Sequence, residues 1–155
     1  MRYTLLIATV VLLFISCKKD KFTTAPQISF KSISPNTLSG NIPITGQSLP
    51  VLTFHITDAE GDIGIKSGSD TAFVYIKNLL ANVSDSFLFP NLSTVSSKNF
   101  EADIAVTLSS NAMLRTSTRP TPKTDTLTYQ VYVKDFAKNK SNTIVAGDPL
   151  YYVFQ

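Results

Sequence analysis

The chain has one cysteine, one histidine and no tryptophan in 155 residues. A single thiol cannot form an intramolecular disulfide, so stability must come from packing, with or without a bound cation. A catalytic zinc ordinarily takes more than one His or Cys ligand, which the chain beyond Cys17 cannot provide. No G-x-S-x-G nucleophile elbow and no glycine-rich strand-to-helix phosphate loop occurs. Excess charge is also missing from most of the chain. The formal +3 comes from Arg2, Lys18, Lys19 and Lys21 against Asp20, and from Pro26 onward ten basic residues face ten acidic ones. A nucleic-acid footprint needs a surplus of cations to displace counterions, so a nucleic-acid partner is not expected.

What is present begins with a leader. Met1-Arg2 gives a short positive start, and Tyr3 through Ser16 form an apolar run broken only by Thr4 and Thr9. A spanning helix needs about 20 apolar residues, so this shorter run fits a cleaved signal better than a permanent anchor. Phe14-Ile15-Ser16-Cys17 resembles the lipobox of bacterial lipoproteins, with Phe14 standing where Leu is usual. That resemblance implies removal of residues 1–16, lipidation of the Cys17 thiol and acylation of the new amine. Two or more acyl chains hold a protein stably on a bilayer, at about 0.8 kcal/mol per buried methylene. An ordinary secretory signal with a lone cysteine is the alternative. Lys18-Lys19-Asp20-Lys21 resembles the charged start of many Bacteroidota lipoproteins, which implies the outer membrane as the partner and leaves the leaflet open. Residues 17–26 then form a flexible tether.

Residues 27–155 are the length of one domain. Short alternating runs separated by Gly, Pro, Asn, Ser and Asp predict an all-β fold, an antiparallel sandwich of about 7–9 strands. The clearest runs are Phe100 to Leu108 and Leu127 to Lys134. Further strands are expected at Ile28 to Ile33, Leu52 to Thr57, Thr71 to Asn78, Ser86 to Phe89, Asn142 to Val145 and Tyr151 to Phe154. Leu79 to Val83 reads as a helical turn and the Thr/Pro-rich Thr116 to Thr126 as a loop. If Ile28, Leu52 and Leu127 open strands A, B and F of an immunoglobulin-like sandwich, the segments after B and F share the tether's end. The Ser109 to Thr124 loop then falls at the far pole.

Asp58-Ala59-Glu60-Gly61-Asp62-Ile63-Gly64 sets three carboxylates at alternate positions in a turn with two glycines. Hard calcium takes six to eight such oxygens, although the spacing fails as an EF-hand loop. The stretch resembles the D-x-D-G-D-[IL]-G turn of Bacteroidota lipoproteins with immunoglobulin-like or cadherin-like sandwiches, with Glu60 in place of an aspartate. Val133 to Asn142 resembles the V-x-D-x-A-G-N-x-S-N hairpin that closes such domains, with Lys138 in place of glycine. If the two loops meet, Asp135 and Asn139 could join Asp58, Glu60 and Asp62 around a structural calcium. The other reading is a polar turn whose aspartates bond their own backbone and whose glycines take positive φ.

His55 is expected on the exposed side of its strand, opposite Leu52, Phe54 and Ile56. Arg115, Arg119 and Lys123 in the distal loop could contact a partner, a glycan or a protein, or could simply be solvated. The pairs Tyr151-Tyr152 and Phe87 with Phe89 could stack on sugars or place one member in the core. Asp70-Thr71-Ala72 and Asp125-Thr126-Leu127 resemble the Bacteroidota O-glycosylation acceptor. The expectation is a lipid-anchored, non-enzymatic binding or accessory module of the cell envelope. Its alternatives are a passive structural lipoprotein and a small hydrolase.

Overall fold

Alternation of apolar and polar side chains forces the chain into strands that bury every second residue. The computed structural model describes residues 21–64, 71–89 and 98–155. The leader, Cys17 and Asp70 lie outside the described residues. Among the described residues ten strands follow in order: β1 (Gln27–Ser34), β2 (Thr37–Ser39), β3 (Val51–Asp58), β4 (Phe73–Asn78), β5 (Val83–Leu88), β6 (Phe100–Thr107), β7 (Lys123–Leu127), β8 (Tyr129–Lys134), β9 (Ile144–Val145) and β10 (Leu150–Phe154).

One layer is the antiparallel sheet β1-β3-β6. The other is built on β5-β4-β8-β9, with β7 and β10 extending β8 and β9 along the same two runs of chain. The expected single strand Leu127 to Lys134 is thus longer and interrupted at Thr128, and the Thr/Pro-rich stretch supplies β7 where a loop was expected. β-branched threonines suit an extended backbone, which offsets the turn signal of the prolines. β2 was not foreseen. It pairs with β10 in parallel, so the sandwich is antiparallel except at this edge. Gly40, just past β2, admits the Phe154 ring, because a Cβ there would stand 2.0 Å from it. Leu79 to Asn82 form the turn joining β4 to β5, with Asn82 at φ 53°.

The two layers share one core. Leu52, Phe54 and Ile56 of β3 and Ile104 and Val106 of β6 meet Val74 and Ile76 of β4 and Leu127, Tyr129, Val131 and Val133 of β7 and β8. Each fully buried aliphatic or aromatic side chain contributes about 1.5–3 kcal/mol. Phe89 is buried and Phe87 packs against the core beside it, since residues two apart share a face. Tyr152 also packs on the core, whereas Tyr151 is exposed.

The strand registers fix both poles. The start of β1 lies beside the end of β3, with Gln27 opposite Thr57. The tether's last residues run on along this end, where the Thr57 hydroxyl donates to the Lys21 carbonyl and the Ala59 amide to that of Thr23. At the opposite pole, residues 108–122 are fastened rather than loose. Met113 is fully buried, and the Asn78 side-chain amide donates to the carbonyls of Met113 and Arg115. The buried Tyr129 hydroxyl donates to the same Met113 carbonyl at 2.9 Å.

Candidate metal centre

At the tether's end, the segment leaving β3 meets the segment leaving β8. The Phe136 amide donates to the Asp62 carbonyl at 3.0 Å, and the Ala137 amide reaches the Asp62 carboxylate at 3.4 Å. Gly61 and Gly64 take φ of 67° and 118°, the left-handed region that a side chain resists, and let the first turn fold back on itself. Lys138 takes φ 69°, so the left-handed position of the second turn is borne by a residue with a Cβ. The meeting of these loops is what the strand order implied.

Asp58, Asp62 and Asp135 converge there. One carboxylate oxygen from each lies within 4.8 Å of the others, and Asp58 and Asp135 are fully buried. Asp58 Oδ2 accepts from the Gly61 amide at 2.7 Å. Asp135 Oδ1 accepts from the Asn139 amide at 2.7 Å and its Oδ2 from the Asn139 side chain at 2.9 Å. Asp58 Oδ1 and Asp62 Oδ1 are buried with no hydrogen-bond partner among the described residues. Both are acceptors when ionised, and neither can donate to the other without a proton.

The electrostatics follow from that. Burial, followed by the negative charge of Asp62, the hydrogen bond that a protonated Asp58 makes to Asp62, and the charge of Glu60, pushes the Asp58 carboxyl up to about 7 even though the Gly61 amide pulls it down. Asp135 is also raised, first by burial and then by Asp62 and Glu60, against the two bonds from Asn139. A buried carboxylate is stable only if something positive compensates it, and here that means either a proton or a cation.

The donor set fits a hard cation. Oxygens at 2.3–2.6 Å from a shared calcium lie at most about 5 Å apart, which these three do, and carboxylate oxygen is the ligand type calcium takes. Asp58, Asp62 and Asp135 would hold the ion. Of the two other expected ligands, Asn139 orients Asp135 through its amide groups, and Glu60 is exposed on the rim, where it adds negative charge.

The remaining expected residues fall elsewhere. Arg119 donates to the buried Asp125 at 2.7 Å, and Lys123, its side chain only 8% exposed, lies 3.2 Å from the same carboxylate. The cation-rich distal segment therefore spends two of its three charges on an acid that the sequence places just beyond it; Arg115 is the one left over. His55 lies on the outer face of β3, its Nδ1 2.8 Å from Asp103 and its Nε2 3.1 Å from Glu101. Thr126 is exposed on β7 and Thr71 half-buried.

The class defined by these observations is an all-β sandwich of packed, mainly antiparallel sheets, with an acidic cluster at the pole where β1 begins. No protein-family model matches the chain, and no curated protein or solved structure matches it. Among the described residues no helix is long and apolar enough to cross a membrane.

Proposed function

We propose that the chain is a lipid-anchored, non-enzymatic accessory module of the bacterial outer membrane, in which calcium joins the two loops nearest the anchor. The observation that carries the calcium reading is the pair of buried, unpartnered oxygens on Asp58 and Asp62, inside a cluster of three carboxylates. A polar turn satisfied by its own backbone would leave no such orphans. The lipid anchor rests on the Phe14-Ile15-Ser16-Cys17 sequence and the apolar run before it. The non-enzymatic reading is supported by His55, whose two ring nitrogens both face carboxylates and so leave neither free for a nucleophile.

The test uses the full chain purified from membranes in detergent, melted with excess calcium and with chelator. Calcium at one hundred times its dissociation constant stabilises by about 2.7 kcal/mol, which raises the melting temperature of a domain this size by about 10 °C. Asp58→Asn with Asp62→Asn should abolish that increment and, at pH 8, where the parent's Asp58 is ionised, raise the chelated melting temperature above that of the parent by removing the buried repulsion. Equal melting curves with and without calcium would reduce the cluster to a turn. Mass spectrometry of the same material should find the chain beginning at an acylated Cys17, and an unacylated terminus would remove the anchor.

A further inference from the structure

The two sheets present unlike outer faces. On β1-β3-β6 the lysines are matched by acids, Lys21 with Glu101 at 2.6 Å and Lys31 with Asp103 at 2.8 Å. On the other sheet the registers line up Phe73, Tyr75 and Lys77 of β4 between Leu88, Ser86 and Ser84 of β5 and Lys134, Tyr132 and Gln130 of β8. No acidic residue occupies any of these positions. Lys140 joins the same face through its bridge to Lys134. Among the described residues, none of Lys77, Lys134 and Lys140 has a carboxylate partner.

The aromatic residues of this face form an ordered group. Tyr75 and Tyr132 stand directly opposite each other with ring centroids 4.7 Å apart and planes 7° from parallel, and Phe73 tilts against Tyr75 at 6.2 Å. The Lys140 ammonium sits 4.1 Å above the Tyr132 ring and that of Lys134 5.6 Å from the Tyr75 ring, so aromatic contacts hold both cations on the platform. Toward β5 the small, exposed Ser84 helps leave a shallow cleft of about 80 Å³, bordered also by Tyr75, Lys77, Gln130 and Tyr132. Enclosed ligand pockets run to about 300 Å³ or more, so a partner would lie on this cleft rather than inside it.

We infer that this face binds a carboxylated polysaccharide. With their faces taken up by each other and by the lysines, the half-buried rings of Tyr75, Tyr132 and Phe73 offer their edges for apolar contact with the C–H groups of a pyranose. The Ser84 and Ser86 hydroxyls and the Gln130 amide offer donors and acceptors to sugar hydroxyls. Three unmatched lysines across the row complement carboxylates repeated along a chain, and they leave a neutral glycan with no charge to compensate them. Single-stranded nucleic acid fits less well. A base needs an open ring face, whereas the two tyrosines spend one face each on the other and Lys140 covers the second face of Tyr132. The inference deepens the accessory-binding reading by naming its ligand class, and it draws on none of the three clustered carboxylates, although Lys134 and Lys140 flank the turn that carries Asp135.

The test immobilises hyaluronan, dextran and an oligothymidylate on separate biosensor surfaces and passes the full chain over each in detergent at low ionic strength. Hyaluronan should retain the protein and dextran should not. Lys134→Gln with Lys140→Gln should weaken the retention at least tenfold without changing the melting temperature, as should Tyr75→Ser if that variant folds. No retention on hyaluronan, equal retention on dextran, stronger retention on the oligothymidylate, or full binding by the lysine variant would each overturn the inference. Calcium-independent melting alongside hyaluronan binding would sink only the metal reading.

Discussion

Asp58 and Asp125 are both fully enclosed, yet their surroundings are opposite. Asp125 is pushed up by its own burial but pulled further down by bonds from Arg119, Ser117 and Lys123, so its carboxyl is held well below the usual range. Asp58 has one amide donor and two acidic neighbours, and stays high. For Asp125 the sign of the pH effect follows directly. A depressed folded value contributes stability above the ordinary aspartate range near 4, and that stability is lost as pH falls through it. Asp125→Asn should therefore flatten the acid limb of the stability curve between about pH 5 and pH 2. At pH 7 it should cost about 1–3 kcal/mol, because the charge-assisted bonds from Ser117, Arg119 and Lys123 are weakened. Urea denaturation of parent and variant across this range checks both statements. An undiminished acid limb in the variant would show that other carboxylates govern acid unfolding.

Between elements, the two sheets are stitched by side chains as well as by the core. Asn142, just before β9, accepts from the Ile28 amide at 2.7 Å and donates to the Ile28 carbonyl at 2.8 Å, copying a ladder pair between β1 and the opposite layer. Ser141 beside it accepts from the Val133 amide at 2.9 Å. Asn142→Ala should cost about 1–3 kcal/mol, the usual penalty for leaving buried partners unmet. It should also speed hydrogen exchange at the Ile28 amide more than at Phe54, in the middle of β3; equal acceleration at both would place the loss in global stability instead. Most strands were legible because their alternation is a property of neighbouring residues. Phe100 to Leu108 reads as inward and outward positions without any partner, and the structure buries Phe100, Ile104, Val106 and Leu108. β2 has only Leu38 as an apolar residue and owes its existence to β10, more than a hundred positions away, which no local pattern records. The same limit hid the Tyr75–Tyr132 platform, since the two rings are opposed by register alone. The acidic site was legible further, because one turn holds Asp58 and Asp62 and the strand order brought Asp135 beside them. Glu60 and Asp62 are two apart in sequence, but only the fold could tell that one lines the cluster and the other its rim.

On the scale of the whole molecule, tether, acidic loops and closing hairpin gather at one pole while the opposite pole is fastened by Asn78 and Tyr129. Residues 21–25 and β1 join the sandwich next to the segment that Asp58 begins. The stability of that pole should therefore depend on what neutralises the three carboxylates. Without a cation, Asp58 is relieved by a proton, and a folded value raised to about 7 contributes stability that is complete below the ordinary aspartate range and lost as pH climbs through 7. The chelated chain should lose up to about 1.4 kcal/mol per pH unit over that interval, the worth of one proton. Saturating calcium needs the ionised carboxylates, so it should cancel the loss and give nearly the same melting temperature at pH 5 and pH 8. The measurement is a pair of melting series from pH 5 to pH 8, one in chelator and one in excess calcium. Two falling series would mean that a proton alone relieves Asp58, and two flat ones that its burial has no consequence for the fold.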